Sequence, residues 1–173
     1  FVPSLTSIFI DETTIGHTVK NVASVGEALP PSLCNRFFDR CEGNPRWWNQ
    51  WGPTECTTYA STHEVGRVDG EQSRVSIGRP CDGRSVFILD AGMYPAPIGV
   101  PGEIYVGGPG LARGYRGRPE LTDASFREWQ AGPGQTVTLY RTGDIGCWKS
   151  NGSLDFLGRT DFQVKIRGLR VEL

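Results

Sequence analysis

Trp47-Trp48-Asn49-Gln50-Trp51-Gly52-Pro53-Thr54-Glu55 reads as a strand over residues 47–51, halted by a glycine-proline turn that hands on to a hydroxyl and a carboxylate. Its neighbours set the fold class. Upstream, residues 19–25 form a mostly apolar run that stops at Gly26, the pattern of a buried strand entering a turn. After Pro30-Pro31, the residues Leu33, Phe37 and Cys41 recur at every fourth position and lay one apolar face along a helix whose start tolerates proline. Strand, helix, strand predicts the end of an α/β sheet, and a third strand is expected within residues 57–65.

Downstream the pattern changes after Gly78-Arg79-Pro80. Short apolar or alternating runs at 86–89, 103–106 and 137–140 are separated by glycine and proline, as in a small antiparallel sheet or barrel. Asn151-Gly152, between Trp148 and Leu154, is a hairpin signal because both residues tolerate positive φ. Only residues 119–126 read as helix in this half. In the last stretch Phe162, Val164 and Ile166 alternate with Gln163, Lys165 and Arg167, predicting one packed face and one polar, cationic face that extends back to Arg159 and Asp161.

The 173 residues suffice to bury a core, and at 38% hydrophobic and 21% charged the chain has an ordinary globular composition. Its 18 basic and 19 acidic residues are mixed along the chain, so no cationic field is expected to hold nucleic acid. No apolar run approaches the ~20 residues of a membrane span, and the N-terminus lacks a basic-then-apolar signal pattern. No membrane association is expected, and a soluble cytoplasmic location is. Cys34, Cys41, Cys56, Cys81 and Cys147 lack the paired short spacings of a zinc site or disulfide framework and are expected to be reduced, mostly buried thiols. Opening on Phe1 and stopping at Arg170-Val171-Glu172-Leu173, the chain reads as a fragment.

Four segments stand in series: Asn49 to Glu55; Gly102-Glu103-Ile104-Tyr105-Val106 running on to Gly114-Tyr115; Tyr140-Arg141-Thr142-Gly143-Asp144; and Gly158-Arg159-Thr160-Asp161-Phe162-Gln163-Val164-Lys165. Any one could be a chance match, whereas four in order are strong evidence. Together they resemble the later core motifs of adenylate-forming (AMP-binding) enzymes, most closely the adenylation domains of non-ribosomal peptide synthetases. Gln163 to Gly168 followed by Arg170-Val171-Glu172, with Asn49 and Pro53, resembles peptide synthetases more than acyl- or aryl-CoA ligases. Such a ligase is the nearest alternative, and a catalytically silent interaction module is the other.

The resemblance implies the C-terminal part of a large adenylation subdomain. Residues 1–79 would be a partial α/β subdomain with the nucleotide and metal motif, 80–160 a small antiparallel β-barrel, and 161–173 a hinge and the start of a further subdomain. The implied activity is formation of an aminoacyl-AMP from ATP and a carboxylic acid with Mg²⁺, then transfer to a phosphopantetheine thiol. Implied partners are the amino-acid or other carboxylic-acid substrate, a carrier-protein domain and the remainder of the adenylation domain. The family's upstream phosphate loop and its later catalytic lysine are not among these residues, so the chain alone is expected to show no adenylation and at most weak ATP binding.

Joining a carboxylate to the α-phosphorus of ATP brings two anions together, which demands charge neutralisation and alignment. The resemblance assigns the parts. Thr54 and Glu55 are the catalytic candidates, with Glu55 the Mg²⁺ ligand, a hard oxygen donor of the type that ion takes. Gly26, Glu27, Asn49, Trp51, Gly52, Thr54, Asp144, Phe156 and Arg159 are expected around the nucleotide, Asp144 taking both ribose hydroxyls and Gly52 leaving no bulk between backbone and nucleotide. Phe156 reads equally as part of a half-buried strand. Trp51 stands where the family usually has tyrosine, keeping the aromatic plane but losing a phenolic hydroxyl. Ala23, Val25, Gln50, Thr58 and Tyr59 are the acid-pocket candidates, and Asp161 and Lys165 the hinge. His17 and His63 have no serine or cysteine motif beside them and are expected to be incidental. Gly107-Gly108-Pro109-Gly110 fails as a dinucleotide fingerprint because of its proline and the missing downstream acid.

Overall fold

The computed structural model describes residues 1–161, 163–166 and 169–171. Its elements are α1 (Pro3–Glu12), β1 (Asn21–Val25), α2 (Pro31–Asp39), β2 (Arg46–Trp51), a 3₁₀ turn at Thr54–Cys56, β3 (Ser61–Val65), a second 3₁₀ turn at Arg67–Glu71, β4 (Arg79–Pro80), β5 (Ser85–Leu89), β6 (Gly102–Gly107), α3 (Pro119–Ser125), β7 (Phe126–Gly132), β8 (Gln135–Trp148), β9 (Leu154–Arg159), β10 (Val164–Ile166) and β11 (Leu169–Val171). This is an α/β chain of mixed sheets. No helix among the described residues is long and apolar enough to cross a membrane.

The first sheet has the order β1-β2-β3-β4. As the strand-helix-strand pattern predicts, β1 runs parallel to β2, while β2-β3 and β3-β4 are antiparallel. Strand β2 alternates, with Trp47, Asn49 and Trp51 buried and Trp48 and Gln50 half-buried. Trp47 stacks on Phe37 of α2 at 4.1 Å between ring centroids, within a core of Ile10, Leu33, Val65 and Val75. Trp51 belongs to a different core, shared with Ile77, Ile88, Ile104, Val106 and Leu154.

Strand β1 is not the buried strand expected of residues 19–25, since Ser24 is its only buried member. Among the described residues it stands at the end of its sheet. Residue 1 meets its backbone: Val25 N–H donates to Phe1 O at 3.0 Å, and the Phe1 nitrogen donates to Ala23 O at 2.8 Å. Helix α1, which brings Ile10 into the core, has no counterpart in the sequence reading.

The second sheet runs β5-β6-β8-β7 with β9 also on β8, and every pairing is antiparallel. The runs at 86–89 and 103–106 are β5 and β6, and 137–140 is part of the 14-residue β8. The hairpin at Asn151-Gly152 closes with Trp148 opposite Leu154 and Gly152 at φ 79°. Leu154 also stitches the sheets together, donating to Gly78 O at 2.7 Å and accepting from Ile77 N–H at 2.9 Å. Gly78 must be glycine: at φ 81° its Cβ would fall 1.8 Å from Thr62 O.

Strands β10 and β11 pair antiparallel with Lys165 opposite Arg170. Of the residues expected to alternate here, Phe162 and Arg167 lie outside the described residues, as do Gly168, Glu172 and Leu173. Gln163, expected on an exposed polar face, is buried because its amide oxygen accepts from Arg159 Nη2 at 3.1 Å. All five cysteines are free thiols, but only Cys34 and Cys56 are fully buried, the other three being half-buried.

Candidate functional site

The site is built on the β8-β9 hairpin. Pairing away from the Asn151-Gly152 turn places Gly146 opposite Phe156, and an irregularity between Ile145 and Gly146 then shifts the register by one. Asp144 therefore faces Arg159 instead of Gly158. Arg159 donates from Nη1 to Asp144 Oδ1 and, at 3.2 Å, to Thr142 O. Its Nε and Nη2 form a fork with Asp161 at 2.7 and 2.8 Å. Hydrogen bonding to Asp161, then the charge of Asp144, holds the guanidinium pKa above its ordinary value. Thr142 sets the turn, accepting from Asp144 N–H at 3.0 Å and donating to Ile104 O at 2.7 Å.

Strand β2 meets this hairpin from the first sheet. Trp51 Nε1–H donates to Asp144 Oδ2 at 2.9 Å across 93 positions of sequence. The indole thus supplies a donor at the position where a phenolic hydroxyl is lost. Asn49 is spoken for from within, donating to Ser76 O at 2.8 Å.

The turn that follows departs from the expected reason for Gly52. A Cβ there would lie 2.5 Å from Tyr59 Cα and 2.6 Å from Ala60 N, so the glycine admits the returning backbone. Beyond it, Thr57 and Thr58 sit in the left-handed region at φ 57° and 73°. Glu55 is buried at 7% exposure in the 3₁₀ turn and accepts from the Tyr115 hydroxyl at 2.5 Å, which lies 3.3 Å from the Tyr140 hydroxyl. Burial, then the bond to Tyr115 and the charge of Glu55, raise the Tyr140 phenol and keep it neutral. Tyr115, Tyr140 and Thr142 were visible only as members of motifs, with no role attached. Their signal was their place in the second and third segments.

Two cavities flank Asp144 and Arg159. One of about 560 Å³ is lined by Gly26, Glu27, Asn49, Gln50, Trp51, Gly52, Asp144, Phe156, Arg159 and Asp161 among others, a volume suited to a small ligand. The other, of about 260 Å³, is lined by Val25, Gly26, Gly52, Thr54, Thr58, Tyr140, Thr142, Asp144 and Arg159 among others. Gly26, Gly52, Asp144, Arg159 and Gln163 line both.

Among the candidates whose side chains are described, three line neither cavity. Ala23 lies two residues back along β1 from Val25, about 7 Å from the strand's end. Tyr59 follows the left-handed pair, and its side chain is on the surface. Glu55 lies beside the second cavity, with its neighbour Thr54 and its near contact Tyr140 in the wall. Lys165 is placed only by its strand pairing. His63 Nε2 is engaged with Asp69 Oδ1 at 2.9 Å and His17 lies 3.9 Å from Glu42, both away from these walls.

A family model described as AMP-binding enzyme matches residues 2–116. Among curated proteins, the phosphinothricin tripeptide synthetase PhsB of Streptomyces viridochromogenes is 42% identical over 175 residues, covering 100% of this chain and 14% of that protein. Among solved structures, PA1221, described as an NRPS protein containing adenylation and PCP domains, superposes with a TM-score of 0.90 at 32% identity, covering 100% of this chain and 35% of that one. The Vibrio cholerae adenylation domain AlmE, solved in complex with glycyl-adenosine-5′-phosphate, gives a TM-score of 0.84 at 31% identity, covering 99% of this chain and 33% of that one. The chain thus spans a small part of the curated relative and about a third of the solved ones.

Proposed function

Because this chain belongs to the AMP-binding enzyme family, we propose that it carries the nucleotide grip of an amino-acid-activating adenylation domain, part of a peptide synthetase that works in the cytoplasm. The observation that carries the reading is Asp144 opposite Arg159 on the wall shared by two cavities, with Gly26 and Gly52 in the same walls. The similarity to an adenylation domain bound to an aminoacyl adenylate supports the same substrate class for this chain.

In this reading an oxygen of the substrate carboxylate bonds to the α-phosphorus of ATP while the bond to the bridging oxygen breaks and pyrophosphate leaves. Asp144 accepts the ribose hydroxyls, two donors suiting its two oxygens. Arg159 offsets phosphate charge and Thr54 donates its hydroxyl to a phosphate. Trp51, Phe156, Asn49 and the Gly26-Glu27 turn border the adenine. Val25, Gln50 and Thr58 border the acid, whereas Ala23 and Tyr59, off the cavity walls, take no part in this scheme.

Glu55 fits as a Mg²⁺ ligand, being a hard oxygen donor of the type that ion takes, next to Thr54, which stands in the wall of the second cavity. Mg²⁺ usually keeps several waters and binds through one or two protein carboxylates and substrate phosphates, so a single carboxylate suffices from this chain. Bound there, Mg²⁺ would neutralise phosphate charge.

The same reading makes the second sheet a small barrel-like subdomain over 80–160, 1–79 the α/β part, and 161–173 the hinge, with Asp161 and Lys165 at the turning point. The thioester acceptor is then the phosphopantetheine of a carrier domain, supported by the adenylation-PCP arrangement of PA1221. The test is amino-acid-dependent exchange of pyrophosphate into ATP by the full protein that carries this chain. Asp144→Ala is expected to lower kcat/KM for ATP at least about 100-fold, two bonds to a charged group being lost. Exchange that needs no acid, or an Asp144→Ala protein of normal activity, overturns the reading. Efficient acyl transfer to free CoA would move it to the CoA ligases.

A further inference from the structure

Asp144 is gripped from two directions by donors of different kinds. Arg159 reaches Oδ1, but the same guanidinium also serves Asp161, Gln163 and the Thr142 carbonyl. Trp51 reaches Oδ2 with the one N–H its indole possesses. That ring sits at 8% exposure in the core with Ile77, Ile88 and Leu154, so it cannot swing to follow the carboxylate. A charged, shared donor supplies attraction, whereas a fixed, neutral one supplies direction.

We propose that Trp51 is a positioning residue for Asp144: its indole N–H fixes the plane of the carboxylate and so sets the protein's selectivity for the ribose hydroxyls of its nucleotide. This rests on the adenylation reading, in which Asp144 holds those hydroxyls. It assigns Trp51 a task that an aromatic plane alone could not perform. Ring stacking against a base is blind to the sugar, whereas a hydrogen bond that orients Asp144 acts only through the hydroxyls Asp144 receives.

The experiment compares ATP with 2′,3′-dideoxy-ATP, by calorimetric dissociation constants, on the full protein and its Trp51→Phe variant. Phenylalanine keeps an aromatic face and removes the donor. The variant is expected to weaken ATP about tenfold and the dideoxy nucleotide less than about twofold, the tenfold step being that of one hydrogen bond to a charged group. Equal weakening of both nucleotides, or none, overturns the assignment while leaving the adenylation reading in place. A wild-type protein that binds no ATP overturns that reading and this one with it. Because shortening Trp51 also opens a gap in packed core, a second measurement leaves Trp51 in place. Asp144→Asn is expected to shift the Trp51 indole N–H resonance of the ¹⁵N-labelled protein, and an unmoved resonance overturns the proposal.

Discussion

Gly52→Ala separates two reasons for the glycine in the Trp51-Gly52-Pro53 turn. One is clearance for a nucleotide, as the motif implies, and the other is clearance for the chain's own return. An added methyl would lie 2.5 Å from Tyr59 Cα and 2.6 Å from Ala60 N, both backbone atoms that no rotamer change can move. At the same place Ala60 N–H donates to Trp51 O at 2.7 Å, next to the rung where Trp51 faces Ser61. Overpacking of this kind costs about 1–3 kcal/mol, and loss of the hydrogen bond adds about 0.5–1.5 kcal/mol, so roughly 2–4 kcal/mol of local stability is at stake. Hydrogen exchange of the Ala60 amide in the full protein reads that directly, because a local opening free energy sets its protection. The variant should exchange there roughly 30-fold to 700-fold faster, with ten-fold for each 1.4 kcal/mol. Unchanged exchange at Ala60 with a raised KM for ATP would show that the space belongs to the ligand, and the packing argument would fail.

Two further outcomes follow from buried groups. Tyr115→Phe removes a hydroxyl donor from the buried Glu55 carboxylate, a bond to a charged group worth about 1.5–3 kcal/mol; the thermal midpoint should fall, and an unchanged one would refute the bond. Burial pushes the Cys34 and Cys56 thiols up to about 12 from an ordinary value near 9. The unfolded chain therefore ionises first, so their contribution to stability is intact below pH 9 and is lost as pH rises from 9 towards 12. Each contributes a slope of at most about 1.4 kcal/mol per pH unit. Replacing Cys56 by alanine should flatten the alkaline limb of a urea-midpoint series, and an unaltered limb would refute the assignment.

What could be foreseen depended on how local the cause was. Strand β2, helix α2 and the hairpin at Asn151-Gly152 are specified by periodicity and turn chemistry within a few residues of each other, and they form where expected. Helix α1 was missed because its exposed face carries Leu5, Ile8 and Phe9, so the polar stripe that marks an amphipathic helix is absent. Strand β7 was missed because its burial is intermittent and its partner β8 supplies the order. The residues of the site were named from their motifs, but their mutual placement was not legible. A one-residue register shift decides whether Asp144 meets Arg159 or Gly158, and no local signal in Gly143 to Gly146 announces it. The surface position of Tyr59 has the same origin, a left-handed pair at Thr57-Thr58 that residue preferences argue against.

Strand β2 explains why the site stands where it does. Trp47, Asn49 and Trp51 share its buried face, and each gives one side-chain N–H to a different part of the chain: Ser24 of β1 at 2.9 Å, the Ser76 carbonyl at 2.8 Å and Asp144 of β8 at 2.9 Å. At about 3.3 Å per residue these three anchors span roughly 13 Å. One short strand therefore fixes the neighbouring parallel strand, the segment that stitches the sheets and the carboxylate at the cavity wall. The first two anchors are structural, since Trp47 lies wholly in the α2 core and Asn49 is satisfied by backbone. The third lies on the last rung of β2, where Trp51 faces Ser61, and its side chain reaches across to β8. The donor at position 51 thus adds a side-chain link between the two sheets to the backbone bonds of Leu154, and that link ends on the carboxylate at the cavity wall.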